Sequence, residues 1–303
     1  MDGTLLGADG KVSERNLAAM HAAEAAGIEV VVATGRRHCY AMRQLRGLGL
    51  AEKNALISSN GAVTRTIGAQ LMERTLMPQA TSEWLCGHLE EFRNALVITF
   101  DKVGPDGEDA RGALVVEHLD ELHASIEKWM IANEPYIAHI VPIEDALQGD
   151  EPIQMMLCGT VERMRRAEAR MLESPRVAAL GVPHVENAGI EITLARTEYP
   201  GRDLSIVDIL PAGCGKGPAL LRLAAARGVS AEEILAIGDN WNDLSMLEVA
   251  GRALVMDNAP EELKSIAAER GWAIGSRHDQ DGVAEAIEAA LAQLSVAALP
   301  NAR

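Results

Sequence analysis

Ile234-Leu235-Ala236-Ile237-Gly238-Asp239-Asn240-Trp241-Asn242-Asp243 decides how this chain is read. The apolar opening, Ile234 to Ile237, has the length and bounds of a buried parallel strand. Its carboxyl end delivers two carboxylates, Asp239 and Asp243, and the amide of Asn242 into one loop. In open α/β sheets ligands bind at that edge. Hard oxygen donors clustered there suit Mg²⁺, which takes one or two carboxylates and completes its shell with water and phosphate oxygens. An Asn/Asp-rich turn capping the next helix is the competing reading of the same residues.

Working outward, the last third keeps a strand–helix rhythm. Lys216 to Ala226 reads as a helix, Leu244 to Ala250 as another, Ala253 to Met256 as a strand, Pro260 to Arg270 as a helix, and Gly282 to Leu294 as a closing helix. The first third has the same rhythm. Ser13 starts a helix that Gly27 stops, Ile28 to Ala33 is an apolar strand, His38 to Leu48 is helical, and Ala55 to Ser58 is a short strand. Such alternation predicts a doubly wound parallel sheet.

The rhythm changes near Pro78 and returns near Ser205. Between them Thr81 to Arg93 and Leu119 to Asn133 read as amphipathic helices, and Ala95 to Phe100, Ile153 to Leu157 and Ile190 to Leu194 as strands. Gly104-Pro105-Asp106-Gly107 reads as a turn. Ile190, Ile192 and Leu194 alternate with Glu191 and Thr193, which predicts a sheet with one polar face. The expected organisation is an α/β core in two pieces, residues 1–78 and 204–303, split by an inserted α/β cap over 79–203.

Acids outnumber bases 44 to 28, a net charge of −16. That argues against nucleic acid or an anionic membrane as partner, since both require a positive surface. Cys39, Cys86, Cys158 and Cys214 are scattered without a Cys-x-x-Cys pair, which predicts reduced thiols in a cytoplasmic protein. No apolar run has the length of a membrane span. His21, His38 and His184 lack motif partners and read as surface or packing residues.

Three further short motifs fall at predicted strand or helix ends. Thr34-Gly35-Arg36 follows an apolar strand and offers a hydroxyl and free N–H groups to an anion. Lys216 opens a helix between Gly215 and Gly217, whose lack of a side chain lets backbone approach a ligand. Asp2-Gly3-Thr4 stands at the start of the chain. Taken singly, an ordinary turn accounts for the first of these and a solvated lysine for the second.

In this order along the chain, Asp2-Gly3-Thr4, Thr34-Gly35-Arg36, Lys216 and Asp239-x-x-Asn242-Asp243 resemble the four motifs of the haloacid dehalogenase (HAD) phosphohydrolases. The insertion between the second and third motifs, with Asn60-Gly61 and Asn258-Ala259-Pro260, resembles the Cof-type branch, subclass IIB. The resemblance implies a Mg²⁺-dependent phosphatase that acts on small phosphate esters, sugar phosphates foremost, through an aspartyl-phosphate. It implies Asp2 as general acid/base and Lys216 as a second catalytic group. Thr34, Gly35, Arg36, Asn60 and Lys216 would bind phosphate, Asn242 would bind it or orient its loop, Asp2 and Asp239 would serve the metal, and Asp243 would steady Lys216 or serve the metal through a bound water.

The aspartate that opens the first family motif is absent before Met1. Two expectations follow: a start assigned too far downstream, or a binding protein without its nucleophile. Apolar runs before the other strand-borne motifs favour the first. On that reading the chain starting at Met1 is expected to be inactive and poorly expressed, and about ten further residues, a strand with its entry, to restore it. Transfer of the phosphoryl group to another alcohol is the remaining alternative.

Overall fold

In the flanking thirds, apolar runs become buried strands and the amphipathic stretches between them become helices laid over those strands. The structure, a computed structural model, describes residues 1–104, 106–118, 126–178 and 189–297. Ser13 caps the first helix, Glu14–Ala25, by accepting from the Asn16 N–H, and Gly27 ends it at φ +81°, a conformation costly for other residues. Val32–Ala33 then pairs in parallel with Ala55–Ser58, which continues antiparallel into Val63–Thr66 and Leu71–Arg74. In the last third, Leu235–Gly238, Arg252–Met256 and Ala273–Gly275 form a parallel sheet, crossed by helices Leu244–Val249 and Glu261–Arg270.

The expected parallel core therefore falls into two sheets, one mixed and one parallel. Val32–Ala33 and Leu235–Gly238 are edge strands with a ladder on one side only. This also explains why the long run Ile28 to Ala33 is strand only at its last two residues: strand structure needs a hydrogen-bonded neighbour, whatever the propensity. The two sheets share packed interiors. Ile57, Ala236 and Val255 meet in one cluster, and Leu56, Met256 and the N-terminal Leu5 in another.

The middle third makes a separate seven-stranded sheet from Leu96–Thr99, Leu114–Val116, Ile137–His139, Gln154–Gly159, Val177–Ala178, Ile192–Tyr199 and Leu204–Pro211. Helices Gln79–His88 and Val161–Leu172 cover one side, where Leu85 and Met164 pack on Met155 and Leu157. One boundary is corrected. The sequence returned the chain to the core at residue 204, but Leu204–Pro211 pairs antiparallel with both Gln154–Gly159 and Ile192–Tyr199. It is buried on nearly every residue, and an apolar run buried on both faces carries no mark of which sheet it joins.

The helix expected over 119–133 is seen as Glu127–Asn133. Its first half, Pro105 of the expected turn and His184 lie outside the described residues. Among the described residues, no helix is long and apolar enough to cross a membrane.

Candidate active site

Thr34, Ser59, Asp239 and Asp257 each follow the last residue of a core strand, so the two core sheets present their carboxyl ends to one place. A cavity of about 220 Å³ opens there, with the seven-stranded sheet as its far wall. Asp2, Thr34, Gly35, Arg36, Lys216, Asp239, Asn242 and Asp243 all line it.

Its floor is a buried ion pair. Lys216, 3% exposed, donates from Nζ to Asp243 Oδ1 at 2.6 Å. The other Asp243 oxygen accepts the backbone N–H groups of Asp239 and Asn240 at 2.9 and 3.2 Å. Burial pushes the Asp243 carboxyl up, but Lys216 and these bonds outweigh it and hold it below its ordinary range. Asp239, 5% exposed, accepts from the Thr4 hydroxyl at 2.5 Å. Burial and the neighbouring Asp243 charge push its carboxyl up to about 6.

Gly3 explains the first motif's glycine. At φ +69° it passes so close to Asp239 that a Cβ would overlap the carboxylate. Its carbonyl accepts from the Asn258 side-chain amide at 2.8 Å, and the Asn258 oxygen accepts the His278 N–H at 2.9 Å. Asn258 thus anchors the Asp2-Gly3-Thr4 loop.

Asp2 is held by both Nε and Nη2 of Arg36, the first at 2.8 Å. Burial opposes its charge, but the Arg36 hydrogen bonds and charge prevail and lower its pKa. The Thr34 hydroxyl accepts the Arg36 N–H at 3.1 Å. The Met1 nitrogen is buried among Lys216, Asp2, Asp239 and Asp243; burial, then Lys216, lower its pKa against the pull of the carboxylates.

Asp243, for which the resemblance offers either steadying Lys216 or serving the metal, accepts from Lys216 on one oxygen and from backbone N–H groups on the other. Asn60 was expected to bind phosphate, yet its amide donates to Asp208 Oδ2 at 2.7 Å and accepts from Asn242 at 3.0 Å. Asn60, at φ +48°, therefore ties the Asn242 side of the cavity to the far wall. Among the described residues, no three of His, Cys, Asp and Glu are grouped to hold a metal.

Thr4, Asn258 and Asp208 were missed as site residues. Thr4 and Asn258 stand inside quoted motifs, and only their spacing from Asp2 and Asp239 hinted at them. Asp208 had no signal, because it comes from the strand placed in the wrong domain. Burial pushes its carboxyl up to about 7, against the Asn60 hydrogen bond and Lys216. His38, read from the sequence as a surface or packing residue, is buried and pushed down to about 4, and Cys214 is buried and pushed up to about 11.

A family model described as haloacid dehalogenase-like hydrolase matches residues 1–287. The chain is 30% identical, over 95% of each sequence, to the 5-amino-6-(5-phospho-D-ribitylamino)uracil phosphatase YwtE of Bacillus subtilis. It is 30% identical to Phosphatase YwpJ of the same organism, over 94% of this chain and 95% of that one. Among solved structures, a haloacid dehalogenase-like hydrolase from Bacteroides thetaiotaomicron superposes with a TM-score of 0.69 at 25% identity, covering 95% of this chain and 96% of that one. With the motif residues gathered in one cavity between core and cap, the chain belongs to the haloacid dehalogenase-like hydrolases, among relatives that are HAD-type phosphatases.

Proposed function

We propose that this chain is a Mg²⁺-dependent phosphatase of small phosphorylated metabolites, sugar and polyol phosphates foremost. Its core would comprise residues 1–78 and 212–303, with residues 79–211 as cap. The observation that carries the reading is the buried Lys216–Asp243 pair beside Asp239, facing Thr34 across one cavity. A phosphate dianion seated there meets the Lys216 ammonium, the Thr34 hydroxyl and the N–H groups of the Gly35–Arg36 turn. Asp243 keeps Lys216 aimed. The cavity volume suits a small ester.

The donor set fits a hard cation. It is oxygen only, and Asp239 is a buried carboxylate whose charge is opposed by burial and by Asp243. Asp239 and Asp2 would hold Mg²⁺, the remaining positions falling to water and substrate oxygens. Bound there, the ion would offset the charge of the phosphate and polarise its oxygens.

Asp2 is the general acid/base in this reading. Its grip on Arg36 keeps it ionised, and a phosphate competing for that guanidinium frees it to take and return a proton. A residue joined to the Met1 nitrogen would stand between Lys216 and three carboxylates, and the family motif has an aspartate there. A carboxylate at that place would make the attack on phosphorus. Its oxygen would bond phosphorus as the P–O bond to the leaving alcohol breaks, and Asp2, having taken a proton from solvent once phosphate displaced it from Arg36, would pass that proton to the alcohol. Water, deprotonated by Asp2, then cleaves the acyl phosphate and releases phosphate. The four cysteines, all free and buried, support a cytoplasmic setting.

The test is phosphate release from ribitol 5-phosphate and glucose 6-phosphate, in Mg²⁺ and in EDTA, by protein whose Met1 nitrogen carries an aspartyl residue. Release in Mg²⁺ alone is expected. No release from any small ester, or equal release in EDTA, overturns the reading.

A further inference from the structure

The cavity's far wall is one face of the seven-stranded sheet, and its register separates two sets of side chains. Ile98, Met155, Ile209 and Leu194 are successive cross-strand neighbours and lie on the helix-covered side. One residue along each strand the side chains point the other way. Thr99 and Gln154 are opposite one another there, as are Met156 and Asp208, and all four line the cavity.

Gln154 stands out among them. It is 4% exposed, and its carboxamide oxygen has no hydrogen-bond partner among the described residues. A buried acceptor left unpaired is a standing penalty on the fold. Nothing in the phosphoryl-transfer machinery uses it. An apolar residue of the same shape would fill the position without that penalty, so the amide at the cavity wall has the marks of a group awaiting a ligand.

We propose that Gln154 is a specificity-determining residue whose carboxamide hydrogen-bonds a hydroxyl of a neutral polyol or sugar leaving group. This inference rests on the phosphatase reading of the same cavity. A hydroxyl both donates and accepts, so it satisfies the amide in either orientation about its terminal bond. Leu114 and Met156, flanking Thr99 and Gln154, offer apolar surface to the C–H groups of such a chain. The site thus sorts its ester by hydroxyl placement, with the charged end fixed at Lys216.

The test uses two phosphonates that cannot be hydrolysed, ribityl phosphonate and methylphosphonate. They share the charged end and differ in hydroxyls. Calorimetric affinities are measured in Mg²⁺ for the wild-type protein and for Gln154→Met. In wild type, ribityl phosphonate should bind tighter by about tenfold, one net hydrogen bond. Gln154→Met should abolish that advantage, leave methylphosphonate unchanged, and raise the melting temperature, because the orphaned amide is gone. Equal affinities in wild type overturn the proposal, as does an equal loss for both ligands. A lowered melting temperature with the affinity ratio intact would make Gln154 a packing residue. The two readings fail separately: a Gln154-dependent ratio without Mg²⁺-dependent phosphate release removes the phosphatase and leaves the subsite, whereas release with a ratio of one does the reverse.

Discussion

Asp239→Asn separates the cation reading from a merely structural acidic turn. Asp239 is almost wholly buried and sits beside the Asp243 charge, which together push it up to about 6 from an ordinary value of 3.8, against the hydrogen bond it accepts from the Thr4 hydroxyl. A raised carboxyl is fully compatible with the fold only below the unfolded-state value. That contribution is lost as pH rises through about 6, so the ionised form weighs against the metal-free fold at pH 8. Two pH units correspond to roughly 3 kcal/mol at most, and sharing of the proton with Asp243 reduces this to about 1–3 kcal/mol. The neutral isostere removes that penalty. In EDTA at pH 8, Asp239→Asn should therefore melt higher by several degrees, at roughly 2–4 °C per kcal/mol. The gain should vanish near pH 4. Addition of Mg²⁺ should raise the melting temperature of the wild type and leave the variant unmoved. A variant less stable than wild type in EDTA, or one that responds equally to Mg²⁺, would refute the reasoning.

Lys216→Met leaves Asp243 buried and unpaired, and should destabilise by about 3–5 kcal/mol in urea titrations while abolishing phosphate binding. Lys216→Arg should fail to rescue binding, because a planar guanidinium cannot follow the 2.6 Å point contact with Asp243. Gly3→Ala combines a positive φ with overlap on the Asp239 carboxylate; a loss of at least about 2 kcal/mol by thermal unfolding is expected, together with loss of the Mg²⁺ response. Asn258→Ala removes the amide holding the Gly3 carbonyl and should lower stability by about 1–2 kcal/mol and reduce kcat more than KM, since it touches no substrate.

What was legible in the sequence is what local chemistry decides. Asp239 and Asp243 were readable because a short apolar strand and an acidic loop are adjacent in the chain, and Thr34 and Lys216 because their motifs are contiguous. The cap sheet was partly legible through the alternation at Ile192 and Leu194, both of which are buried on the helix-covered side. Leu204–Pro211 was misplaced because a strand buried on both faces has no period to read. The contact of Asn60 depended on a partner 148 residues away, Asp208, and no residue type announces which distant acceptor an amide will find. Gln154 was invisible for the same reason: an unpaired amide is a property of its surroundings.

The most direct test of the central claim is phosphate release from ribitol 5-phosphate by protein with an aspartyl residue on the Met1 nitrogen, compared with the same protein carrying Asp239→Asn. The account predicts release that requires Mg²⁺ and falls by at least about a hundredfold in the variant. Undiminished release from Asp239→Asn, or release that persists in EDTA, would contradict it.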